Sequence, residues 1–157
     1  MKNKTLVIGL GNTLLRDDGV GIYVAREVTR RVGNLDNVDV VEASIGGIGL
    51  IDLMQGYDTV YIVDALKRAD SVPGKTLRCG IEALGDPTYV GGPHFLDLRT
   101  AVELGKQCGF KMPPRIEIFA VEIVDNMDFS ESLTPEVEKA VPSLVADIVA
   151  EIQKDTS

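Results

Sequence analysis

The chain has 157 residues, 45% apolar and 25% charged, a mix that suits one globular domain with a real core and excludes disorder, collagen and coiled coil. Its 24 Asp and Glu against 16 Lys and Arg leave a net charge of −8, a field that repels phosphate backbones and makes nucleic acid a poor partner. No apolar run approaches the roughly 20 residues of a bilayer span, so we expect one domain over residues 1–157, in the cytoplasm, with no membrane partner.

In chain order, Thr5–Gly9 is an apolar run typical of a strand buried on both faces. Gly19–Val32 carries Val20, Val24, Val28 and Val32 in one helical stripe, with Gly33 to end it. Val38–Ala43 reads as a second strand and Gly47–Met54 as a short helix. Thr59–Val63 is another buried strand, ending at Asp64, and Thr76–Leu84 is a weaker strand. Phe95–Cys108 is a helix with Leu98, Ala101, Val102 and Cys108 on its apolar face. Arg115–Ile123 alternates and reads as a strand with one more polar face. Thr134 and Pro135 open a last helix as cap and first position, and Pro142 should kink or split it. This alternation implies an α/β fold with a mainly parallel twisted sheet and helices on both faces.

In such sheets ligands sit beyond the carboxyl ends of the strands. The first such loop is Gly9-Leu10-Gly11-Asn12-Thr13-Leu14-Leu15-Arg16-Asp17-Asp18-Gly19-Val20-Gly21. It imitates a dinucleotide fingerprint, but Leu14 stands where the third glycine belongs, and Asp17 and Asp18 repel a phosphate. Asp17 or Asp18 could simply cap the helix. Asp64 at the end of a buried strand needs partners: a salt bridge to Lys67 or Arg68, a following turn that it caps, or a ligand. His94 is the only histidine and follows Gly91-Gly92-Pro93. If Asp18, Asp64 and His94 converge, they make an incomplete N/O site suited to nickel, zinc, iron or manganese, with positions open for another molecule's ligands. Cys79 and Cys108 match no metal-ligand spacing and are read as reduced thiols, and no G-x-S-x-G elbow is present.

The first loop resembles the signature of the nickel–iron hydrogenase maturation endopeptidases. The resemblance continues through Asp64-Ala65, Pro93-His94 and Ser132-Leu133-Thr134-Pro135-Glu136-Val137, and so covers essentially the whole chain. It implies a single-domain, phosphorylase/hydrolase-like twisted sheet flanked by helices. It implies a protease that removes a C-terminal peptide from the hydrogenase large-subunit precursor once nickel has been inserted. The family's metal contacts fall here on Asp18, Asp64 and His94, with Asp17 the companion acid. Where the family often has Asp-Gly-Gly-Thr-x-Gly, this chain has Glu42-Ala43-Ser44-Ile45-Gly46-Gly47, a change that bears on which precursor is bound.

On this resemblance nickel arrives on the precursor's own thiolates, and no organic cofactor is expected. Asp17 or Glu42 could assist as a base, and the metal could polarise a carbonyl or acidify a water. Three rival readings remain. One is a chaperone that checks nickel without cutting. Another is a peptidyl-tRNA hydrolase, which also opens with a strand and Gly-Leu-Gly-Asn. The third is a nucleotide-binding module.

Overall fold

β1 (Thr5–Leu10) is buried at every position, as its unbroken apolar run predicts for a central strand. The computed structural model of the chain describes residues 3–44, 46, 48–85, 93–124 and 128–156, and their side chains except at 84–85 and 93–97. A short 3-10 turn, Arg16–Gly19, leads into α1 (Val20–Val32). There follow β2 (Val38–Ala43), α2 (Gly49–Met54), β3 (Thr59–Lys67) and β4 (Thr76–Gly80). α3 (Pro93–Gln107), β5 (Arg115–Ile123) and α4 (Pro135–Thr156) complete the chain.

The five strands form one sheet in the order β2-β1-β3-β5-β4. All neighbours are parallel except β4, which runs antiparallel to β5. The expected α/β architecture is therefore present. α1 and α4 cover one face, where Val24, Val28, Leu144 and Ile148 pack on Val7, Tyr61, Val63 and Phe119. α2 and α3 cover the other, where Leu50, Met54, Leu98 and Ala101 pack on Leu6, Ile8, Ile62 and Ile118. From β1 the chain moves outward to β2, then returns on the other side as β3. That reversal makes the gap between β1 and β3 the topological switch point, where ligands of doubly wound sheets bind. No helix among the described residues is long and apolar enough to cross a membrane.

Several expectations are corrected. β3 does not end at Asp64 but runs three residues further, because β5 stays paired with it to Lys67. The Thr76–Leu84 segment is a strand only to Gly80 and then turns as a 3-10 helix. Cys108 lies outside α3 and is exposed, while Cys79 is half-buried, and both are free thiols. Burial, then the nearby carboxylates Glu117 and Glu82, pushes the Cys79 thiol above its usual range.

α4 is continuous through Pro142. Val137 and Ala140 before the proline and Leu144 and Val145 after it pack in one cluster, so burial of both halves outweighs one missing hydrogen bond. The expected polar face of β5 is covered. Glu117 on that face binds Arg78 and Arg115, while Glu122, on the opposite face, is buried against Arg68. Arg78 and Arg115 also reach Glu151 of α4, and Tyr61 donates to Asp155 of the same helix. These bonds fasten α4 across β3, β4 and β5.

Candidate active site

The loop after β1 is held by contacts that only glycine permits. A Cβ on Gly21 would stand 2.4 Å from the carbonyl oxygens of both Leu10 and Val63. α1 therefore begins wedged between the carboxyl ends of β1 and β3. Gly11 has φ +144, and a Cβ there would stand 2.1 Å from the carbonyl oxygen of Asp18. The loop thus folds back on itself with Asp18 directly behind Gly11. Asn12 closes it, accepting from Leu14 N–H at 3.0 Å through Oδ1 and donating its own N–H to Asp18 Oδ2 at 3.0 Å. This Asn12 turn was not singled out from the sequence, although an Asn two residues before a donor is its usual signal.

The two acids of this loop have different surroundings. Asp17 is 2% exposed. Its Oδ1 accepts from the backbone N–H of Thr134 at 2.7 Å and its Oδ2 from the Thr134 hydroxyl at 2.8 Å. It anchors the start of α4, and neither acid caps its own helix. Asp18 is half-buried, with Oδ2 held by Asn12 and Oδ1 bonded to no described residue. Arg16, just before them, has φ 53 and a buried Nε without a partner among the described residues. Such strain and dissatisfaction concentrate at working sites.

Asp64 is 1% exposed and its Oδ1 accepts from the N–H of Ala65 at 2.8 Å. β1 pairs with β3 only as far as Gly9 and Val63, so Asp64 is the first residue of β3 past that pairing. The 3-10 turn carrying Asp17 and Asp18 packs against β3. Asp18 and Asp64 thus stand on the two lips of the switch point. By alternation Asp64 shares the face of Ile62 and Leu66, the face covered by α2 and α3. Arg68, one of its expected partners, donates to Glu122.

His94 is the second residue of α3, and its side chain lies outside the described residues. Its backbone can be placed. The segment after α3 returns to the start of β3, where Gly56 N–H donates to the Lys111 carbonyl at 2.9 Å. The first turn of α3 is therefore at the opposite end, where β3 finishes, and on the face of Asp64.

Glu42 is level with Gly9 in β2. Its oxygens accept from Nε and Nη2 of Arg26 at 3.2 and 3.1 Å, which raises the Arg26 pKa. Level residues of parallel strands share a face, so Glu42 lies with Val63 on the α1 side, opposite Asp64. With Gly11, Asn12 and Ser44 it lines a cavity of about 260 Å³. Ile45 and Gly47 of the same loop lie outside the described residues.

The sequence model of a family described as HycI, hydrogenase maturation protease, matches residues 22–151. The hydrogenase 2 maturation protease of Escherichia coli is 24% identical over 96% of this chain and 92% of its own. The hydrogenase expression/formation protein HupD of Bradyrhizobium diazoefficiens is 27% identical over 95% of this chain and 79% of its own. Among solved structures, the hydrogenase maturating endopeptidase HybD from E. coli matches with a TM-score of 0.79 at 23% identity, covering 96% of this chain and 93% of that one. The maturation protease HybD from Thermococcus kodakarensis matches with a TM-score of 0.75 at 21% identity, covering 95% of this chain and 98% of its own. At such identities the structural likeness speaks for the fold, whereas the family match takes in most of the chain. With the strand order, the glycine-locked acidic loop and that match together, the chain belongs to the hydrogenase maturation protease family.

Proposed function

We propose that this chain is the endopeptidase that removes the C-terminal extension of a nickel–iron hydrogenase large-subunit precursor after nickel has been inserted. The observation that supports this reading is that the turn carrying Asp18 packs against β3, whose Asp64 comes just past the pairing with β1, at the end of the sheet where α3 begins with His94. Nickel is part of the substrate here, carried by the precursor's own ligands. Two carboxylates and an imidazole add hard and borderline donors to an ion already held elsewhere, which suits nickel and leaves the set incomplete without the precursor. Asn12 fixes one oxygen of Asp18, and Ala65 N–H orients Asp64, so both carboxylates are preorganised. Contact with the metal would align the scissile amide beside it and read nickel loading in the same step.

In this reading Asp17 and Glu42 shape the site. Each oxygen of Asp17 is engaged by Thr134 and each oxygen of Glu42 by Arg26. The test is precursor processing by Asp64→Asn and His94→Ala, made separately and followed by mass spectrometry of the large subunit. Each should slow cleavage at least a hundredfold. Wild-type rates in both would end the proposal, and binding of nickel-loaded precursor without cleavage by the unaltered chain would favour the nickel-checking chaperone.

A further inference from the structure

Nine large apolar side chains are exposed among the described residues. Six of them, Leu14, Leu15, Ile48, Val72, Val124 and Phe129, follow the carboxyl ends of the parallel strands, the end that carries Asp18 and Asp64. Isolated exposed hydrophobics are ordinary, but their collection at one end marks an interaction surface. The middle of this set is built. Ser130 N–H donates to the Leu14 carbonyl at 3.0 Å, and Arg16 N–H donates to the Ser130 carbonyl at 2.8 Å. Arg16 Nη1 meets Asp128 Oδ2 at 3.3 Å. This isolated parallel bridge of Leu15 with Ser130, separate from the main sheet, sets Leu14 level with Phe129, and Phe129 is 85% and Leu14 55% exposed. An ordered backbone presenting bare apolar side chains is preorganised for binding, since little freedom remains to be lost.

We propose that Leu14 and Phe129 are the centre of the docking surface for the folded body of the precursor, an apolar protein surface lying beside its C-terminal extension. The proposal rests on the function proposed above and adds where affinity resides. Continuity carries the choice of occupant. Asp18 N–H donates to the Leu15 carbonyl at 3.2 Å, so the residues that dock and the acid that meets the metal belong to one turn. A protein seated on Leu14 and Phe129 is thereby aligned with Asp18. The net charge of −8 argues against an anionic membrane surface or a nucleic acid as occupant.

The test compares Phe129→Glu, Leu14→Glu and, as a control on the opposite end of the molecule, Phe110→Glu, using purified nickel-loaded large-subunit precursor. Phe129→Glu and Leu14→Glu should each raise the half-saturating precursor concentration at least tenfold with the rate at saturation kept within twofold. Phe110→Glu should match the wild type in both. Unchanged half-saturation in the two patch variants would overturn the surface while leaving the protease reading intact. Wild-type self-association in sedimentation that Phe129→Glu abolishes, with half-saturation unchanged, would overturn it in favour of a second copy. A wild-type chain that binds precursor but never shortens it, with binding lost in Phe129→Glu, would support the surface and sink the protease reading.

Discussion

Thr134 donates to Asp17 twice, through its backbone N–H at 2.7 Å and its hydroxyl at 2.8 Å. The residue that opens α4 therefore grips the acidic loop after β1, far away in the chain, and sets where its neighbour Asp18 stands. A carboxylate buried this deeply is stable only with such donors.

Thr134→Val removes the hydroxyl donor and leaves the Asp17 carboxylate short of one bond. We expect the unfolding free energy to fall by about 1–3 kcal/mol, the cost of an unsatisfied buried acceptor. Thr134→Ser keeps the donor and should stay within about 1 kcal/mol of the wild type. Urea unfolding of both variants checks this.

Gly21→Ala would drive a methyl group to within 2.4 Å of two carbonyl oxygens that belong to central strands. Those backbones cannot retreat without breaking the β1–β3 pairing. A loss above about 3 kcal/mol, or insoluble protein, is expected. Gly33→Ala makes the contrast. Gly33 has φ +59 and ψ −135 with open space around it, so only backbone strain of about 1–3 kcal/mol applies.

Glu151 is held down to about 2 from the usual 4.5, first by its hydrogen bond from Arg78 and then by the one from Arg115. A carboxyl depressed in the folded state stabilises the protein above its unfolded pKa and loses that contribution as pH falls through the folded one. The contribution is therefore present above about pH 4.5 and is lost towards pH 2. Urea midpoints at pH 5.5 and pH 3 should fall more steeply in the wild type than in Glu151→Gln. Parallel slopes would contradict the assignment.

Glu42→Gln tests whether this acid serves as a base. It lies on the α1 side of the sheet, opposite Asp64, with both oxygens on Arg26. We expect precursor processing to stay within tenfold of wild type, whereas loss of a general base costs about a hundredfold or more. The exposed Arg26–Glu42 pair is worth at most about 1 kcal/mol, so stability should barely move.

Much of this was legible in the amino-acid order. The apolar run Thr5–Gly9, the strand segment Val38–Ala43, the valine stripe of α1 and the Thr134-Pro135 start of α4 are local patterns, and periodicity and capping chemistry act locally. The same holds for the glycines of the first loop, whose spacing marks a turn that side chains would block. Only the tertiary structure decided that Asp17 takes both donors of Thr134 while Asp18 is held by Asn12, that Glu42 meets Arg26, and that Glu122 meets Arg68. The reason is physical. Which partner a carboxylate finds depends on strand register and on the face its side chain leaves by, and both are set by pairings between residues distant in the chain.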